Sequence, residues 1–183
     1  MSEEMLVRHC SPTLAGLKTA GLFTGSFKSR EEMLRDLKDL NVRLSGKGLR
    51  ILPLRFSGNK ALIYVYRPSK LSKDLGDSEA YRILREKGYE VEKPGRCIMH
   101  LIKKIGSDGE FPHEIGLFLG YPPEDVCGFI ENRAACSKCV GCWKVYGNEE
   151  EAKKTFAKYK KCTEVYTRLF SRGLPLEKLT VSV

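Results

Sequence analysis

Apolar residues recur at helical spacing in several stretches of this chain and run together or alternate in a few others. Met33, Leu37, Leu40 and Leu44 follow the first pattern, and Ser29-Arg30-Glu31-Glu32 before them has the form of a capping box. Together they predict a helix to about Leu44, stopping before Gly46-Lys47-Gly48. Cys97, Ile98, Leu101, Ile102 and Ile105 predict another, ended by Gly106-Ser107-Asp108-Gly109. Ala152, Phe156, Tyr159, Thr163, Tyr166 and Phe170 form one face of a long helix that Asn148-x-x-Glu151 opens and Gly173 and Pro175 end. Asp77 or Ser78 caps a further helix through about Lys87. Pro112 and Pro122-Pro123-Glu124-Asp125 each start a short one, with proline in the first turn. Ser11-Pro12 reads as the start of a short helix or turn.

Leu49 to Phe56 and Ala61 to Tyr66 are apolar runs joined by Ser57-Gly58-Asn59-Lys60, the signature of a hairpin. Pro68 ends its second strand. Leu17 to Phe23, Trp143 to Tyr146 and Leu179 to Val183 are shorter strand candidates. Helices outnumber strands, so the expected fold is α+β: a small antiparallel sheet, hairpin 49–56/61–66 plus one or more short strands, packed with about six helices. There is no internal repeat, low-complexity tract or long linker. Residues 1–183 are expected to form a single domain, with 134–147 as a cysteine-rich loop or knuckle within it.

Composition narrows the class. Hydrophobic residues make up 42% and charged residues 30%, as in ordinary soluble globular chains. Met1-Ser2-Glu3-Glu4 does not open a secretory signal, and no apolar run has the length to span a bilayer. The expected location is the cytoplasm, with no membrane partner. The net charge of +9 favours anionic partners, whether an anionic ligand, an acidic protein or nucleic acid. The densest basic group is Lys153, Lys154, Lys158, Lys160 and Lys161, a pattern that an ordinary solvated helix face also gives.

The chemistry-bearing feature is Cys136-x-x-Cys139-x-x-Cys142, followed by Trp143. Seven cysteines in a reducing compartment should mostly be thiols. Thiolates at two-residue gaps can converge on zinc or an iron–sulfur cluster, or exchange a disulfide between neighbours. The bacterial iron–sulfur run is broken, since its fourth position falls on Tyr146. Zinc sites usually add a second Cys-x-x-Cys pair, which is missing. Cys162, beside the apolar face of the long helix, is the candidate fourth ligand, with Cys127 and Cys10 as rivals. The competing expectation is a set of reduced thiols, some packed as small hydrophobes.

A second constellation is Cys10, His113 and Glu114. Cys10, next to His9 and just before the expected Ser11-Pro12 helix, would have its thiolate favoured by the helix dipole. His113 and Glu114 open the Pro112 helix and could act as acid and base. Phe111 to Pro123 could line a pocket, with Gly116 and Gly120 allowing close approach. The plainer alternative is capping and tight packing at each of these positions. Trp143, Tyr146, Tyr159 and Tyr166 near Lys144, Lys158 and Lys160 would suit stacked bases, but the helical spacing of Tyr159 and Tyr166 points to core.

Several segments together resemble one family. They are His9 to Lys18, Phe111 to Pro122, Asp125 to Ile130 and Cys142 to Gly147. They are similar to the uncharacterised bacterial domain of unknown function 3793, over nearly the whole chain. The resemblance implies a cytoplasmic protein of anaerobic, Gram-positive-type bacteria and brings no activity, cofactor or catalytic residue. It also implies that the position of Cys142 is often Tyr, so that a three-cysteine site would belong to some members only.

Three functional expectations follow. The first is a thiol-rich protein that binds a metal or does redox exchange through Cys136, Cys139 and Cys142. The second is an enzyme with a Cys10/His113/Glu114 pocket. The third is a binding module for an anionic ligand or nucleic acid.

Overall fold

The computed structural model describes residues 2–107, 110–133 and 135–182. Its elements, in chain order, are α1 (Glu3–Leu14), β1 (Ala20–Ser26), α2 (Arg30–Leu44), a 3-10 turn (Ser45–Lys47), β2 (Arg50–Ser57), β3 (Lys60–Tyr66), α3 (Pro68–Leu75), α4 (Ser78–Glu86), α5 (Pro94–Gly106), α6 (Ile115–Phe118), α7 (Pro123–Asn132), β4 (Cys139–Val140), β5 (Lys144–Val145), α8 (Glu149–Ser171) and α9 (Leu176–Leu179). The fold is α+β, with a three-stranded and a two-stranded antiparallel sheet among the described residues. Helix starts follow local chemistry. Ser29 Oγ accepts from the Glu32 amide at 3.1 Å, Asp77 Oδ1 from Glu79 at 2.9 Å, and Asn148 Oδ1 from Glu151 at 3.1 Å.

Two compact units divide the chain: Met1–Ser69 with Tyr159–Val183, and Lys70–Lys158. In the first, β3 lies between β1 and β2. Leu6, Cys10 and Leu14 of α1, the four apolar positions of α2, and Phe23, Ile63 and Val65 of the sheet form its core. Tyr166, Leu169 and Phe170 of α8 pack against it. The edge strand β2 carries Pro53, which has no amide to donate, and the register shifts between Pro53 and Arg55. An edge is where a strand tolerates both. Asn41 of α2 covers that edge: its side-chain oxygen accepts from Ile51 N at 2.9 Å and its amide donates to Ile51 O at 2.6 Å.

The second unit buries Leu71, Leu75, Ile83, Leu84, Tyr89, Leu101, Ile105, Phe118, Val126 and Val145. Helices α4 and α6 pack on α7, and α7 packs on β5.

Four expectations change. The helix at Ser11-Pro12 starts much earlier, capped by Ser2, and both residues lie near its end. Pro12 is tolerated there, and Ser11 Oγ donates back to the Val7 carbonyl. The Pro112 helix is one short turn, α6, beginning only at Ile115. Leu179 to Ser182 form no strand; Pro175 caps α9 instead, and Val183 lies outside the described residues, as do Asp108 and Gly109 of the expected α5 stop. Pro68 not only ends β3 but begins α3, a helix the sequence reading lacked.

Arg67 closes the first unit. It is fully buried, yet it carries a guanidinium. Nε donates to Thr13 O at 2.7 Å, Nη2 to Leu14 O at 2.7 Å and Val181 O at 2.8 Å, and Nη1 to Lys47 O at 3.0 Å. Thr13 and Leu14 are the last carbonyls of α1, which the helix itself cannot satisfy, and the negative end of the helix dipole faces the cation there. Burial holds the Arg67 pKa below its ordinary value. Arg67→Met fills similar space but removes every donor. The Gly16 and Val181 amides still reach Thr13 O and Leu14 O, at 3.1 Å each, but the Lys47 and Val181 carbonyls lose their side-chain donor. Leaving these two carbonyls unpaired costs about 1–3 kcal/mol each, so urea unfolding should show a loss of at least about 2 kcal/mol. A loss below about 1 kcal/mol would mean those carbonyls find other donors, and the clamp assignment would fail.

Candidate functional site

The second unit contains a small hairpin, β4–β5, too short to be stable by its own ladder. A buried carboxylate holds it. Asp125, in the first turn of α7, is 3% exposed. Its Oδ1 accepts from the amides of Tyr146 at 2.7 Å and Gly147 at 2.8 Å, and its Oδ2 from Trp143 Nε1 at 2.7 Å. The positive end of α7 adds to the stabilisation of this charge. Two glycines let the hairpin approach its neighbours: a Cβ on Gly141 would lie 2.3 Å from the Phe156 ring, and one on Gly128 2.5 Å from the Tyr146 ring. Trp143 then stacks on Tyr121, with centroids 4.8 Å apart, and meets the edge of Phe156.

Pinned in this way, the hairpin forms one wall of a cavity of about 390 Å³. Phe111, Tyr121, Phe129 and Trp143 supply aromatic surface, and His113, Asp125 and Lys144 are its ionisable lining groups. Val140 and Lys144 are paired across the hairpin and share the face that lines the cavity. Cys139 pairs with Val145, so strand alternation puts it on the other face.

The candidates from the second constellation sit as follows. Cys10 belongs to the first unit. It lies in the C-terminal half of α1, not before a helix start, and burial pushes its thiol up to about 12. Its neighbour His9 is exposed and stacks on Phe23. His113 and Glu114 belong to the second unit. His113 lines the cavity, with Nε2 3.2 Å from Glu110 Oε1 and its ring against the edge of Phe129. Glu114 is buried and engaged elsewhere. Its Oε1 accepts from Lys104 Nζ at 2.8 Å and Tyr89 hydroxyl at 3.0 Å. Burial raises its pKa, but the Lys104 ammonium, its own backbone amide and Tyr89 outweigh that and hold it below the usual value. A depressed folded pKa means stability that is present above the unfolded value and lost as pH falls through the folded one.

Of the thiols, Cys136 and Cys142 are exposed and Cys139 is partly so, and Cys136 adopts a left-handed backbone with φ 58°. Cys162 is buried in the first unit, its thiol pushed up to about 11. Cys127 Sγ lies 3.2 Å from Glu131 Oε1. Among the described residues, no group of three or more His, Cys, Asp and Glu side chains is arranged to hold a metal ion. The zinc or iron–sulfur expectation therefore rests on spacing alone.

The molecule is a helix-rich α+β protein with an aromatic-walled cavity in its second unit. It belongs to the DUF3793 family, described as a protein of unknown function, whose model matches residues 6–180. No curated protein and no solved structure matches the chain. No helix among the described residues is long and apolar enough to cross a membrane.

Sequence reasoning placed Phe111 to Pro123 beside a pocket but gave Asp125 only a helix-dipole role. Lys144 entered only beside aromatics, and Phe129 had no role. A carboxylate before Trp143-x-x-Tyr146-Gly147 has no periodic signal that would join them. Thiol exposure gives a direct check. Iodoacetamide at neutral pH should label Cys136 and Cys142 within minutes and Cys10 only after unfolding, read by peptide mass spectrometry. Early labelling of Cys10 in folded protein would contradict its place in the core.

Proposed function

We propose that this protein binds a small, flat, largely apolar molecule in the cavity of its second unit. The observation that carries this is the cavity itself. Four aromatic side chains surround about 390 Å³ of space, at the small end of the range for ligand pockets. Uncovered apolar surface at the same place adds support: Phe111 is 41% and Val140 69% exposed, and both line the cavity. Asp125 prepares the wall in advance, so little ordering is left to oppose binding. No disulfide joins the described cysteines, which suits a reducing compartment such as the cytoplasm.

A second reading concerns Cys136, Cys139 and Cys142. Their exposure on and around a pinned hairpin favours thiol exchange among them, outside the cavity lining. A metal bound there would instead shield Cys136 and Cys142 from alkylation until a chelator was added.

The chain has one tryptophan, and it lies in the cavity wall. Binding of phenylnaphthylamine, a neutral flat fluorophore, can therefore be followed by energy transfer from Trp143. The expected result is one site per chain, with Phe129→Ala weakening it by roughly three- to tenfold, as for loss of an aromatic contact. Absence of saturable transfer in folded protein would sink the ligand reading.

A further inference from the structure

Resting on the thiol-exchange reading above, we infer that Cys136 and Cys139 are a redox pair for small-molecule disulfides: Cys136 attacks, Cys139 resolves, and the Tyr146 hydroxyl donates to the Cys136 sulfur. Two irregularities meet at this place in the second unit. Cys136 is a non-glycine residue at φ 58°, a left-handed backbone that a side chain disfavours. The Tyr146 hydroxyl is shielded from water, yet it has no hydrogen-bond partner among the described residues. Buried hydroxyls are normally paired, and such departures gather where a protein does chemistry.

The backbone between the two brings them together. Lys138 N donates to Val145 O at 2.8 Å, and Lys138 Nζ donates to Gly147 O at 2.7 Å. These carbonyls flank Tyr146, so the segment from Cys136 to Cys139 is laid across that residue. Tyr146 is held from its other side: its amide donates to Asp125, and its ring lies where a Cβ on Gly128 would come within 2.5 Å. Burial raises the Tyr146 pKa, and negative charge on Cys136 and then on Asp125 raises it further, which puts Cys136 within electrostatic reach of the phenol.

The order of the two thiols follows from their surroundings. Cys136 is exposed, whereas Cys139 is partly covered and tied into β4. An incoming disulfide therefore reaches Cys136 first. The chain bends at Cys136 and again at Lys138. Two bends within so short a gap draw the pair toward the Cα span of about 4.4–6.8 Å that a disulfide bridges. The chemistry is two exchanges. The Cys136 thiolate attacks one sulfur of a disulfide such as oxidised glutathione. A Cys136–glutathione bond forms, the glutathione S–S bond breaks, and one glutathione leaves as thiolate and takes up a proton. Cys139, its proton lost to water, then attacks the Cys136 sulfur, and the second glutathione leaves in the same way. Two protein thiols are oxidised, and one disulfide is reduced to two thiols. The Tyr146 O–H gains its missing acceptor whenever the Cys136 sulfur carries negative charge.

Full-length, reduced protein exposed to oxidised glutathione at neutral pH, then quenched and mapped by peptide mass spectrometry, tests the pair. The expected product is a Cys136–Cys139 disulfide. Cys139→Ser should stop at glutathione bound to Cys136, and Cys136→Ser should take up glutathione on Cys139 at least about tenfold more slowly. Tyr146→Phe keeps the ring and removes only the unpaired hydroxyl, so its urea midpoint should be unchanged or higher. Combined with Cys139→Ser, it should slow glutathione uptake by Cys136 roughly three- to tenfold, the loss of a charged hydrogen bond partly offset by a more nucleophilic thiolate. A disulfide from either thiol to Cys142 instead would overturn this pairing and leave the exchange reading standing. No disulfide between any of the three would remove both. An unchanged rate in Tyr146→Phe, or a lower urea midpoint, would overturn the role of the hydroxyl.

Discussion

Asp125 is the constraint on which the candidate site depends. A two-residue ladder cannot order a hairpin in water, yet β4–β5 must present Val140, Trp143 and Lys144 along one wall. One carboxylate, buried at the start of α7, supplies the missing order through three donors. The charge is tolerable in the interior because all three donors point at it and the helix start faces it. Replacing the carboxylate with an apolar group would leave two backbone amides and an indole N–H without an acceptor.

The first unit uses the opposite charge in the same way. Arg67 gathers four backbone carbonyls from the end of α1, the turn after α2 and the segment after α9. Such junctions lack the regular ladders that pair backbone groups inside helices and sheets. Arg67 turns its five-donor fork to carbonyls rather than to a carboxylate. In each unit a single ionised side chain, inside and pointed at backbone, fixes segments that periodic packing alone would leave adjustable.

Local order was legible in the sequence because its causes are local. The boxes at Ser29 and Asn148 and the cap at Asp77 satisfy amides within three residues, and each marks an observed helix start. The hairpin turn at Ser57 to Lys60 is likewise fixed by neighbours. Ser11-Pro12 misled because the same pair suits a helix start and the last turns of a helix already under way. Consequently Cys10, placed by sequence at the positive end of a dipole, lies toward the other end and in the core. The terminal segment was read as a strand from Leu179, Val181 and Val183, but α9 and the bond from Val181 N to Leu14 O use it otherwise. The cavity was legible only in its Phe111 to Tyr121 wall. Its other wall depends on Asp125 reaching partners 18 to 22 residues away, and no spacing rule encodes that.

The central claim is that the carboxylate, and not merely a side chain of that size, orders the cavity wall. Asp125→Asn tests it most directly. An amide has one acceptor oxygen, so whichever way it turns, its NH2 must face either the Trp143 indole N–H or the two backbone amides. The account predicts a folded protein in which Trp143 emission shifts to the red and saturable phenylnaphthylamine binding weakens by at least about tenfold, the scale of one buried donor left unpaired. Emission and affinity both unchanged in that variant would contradict it.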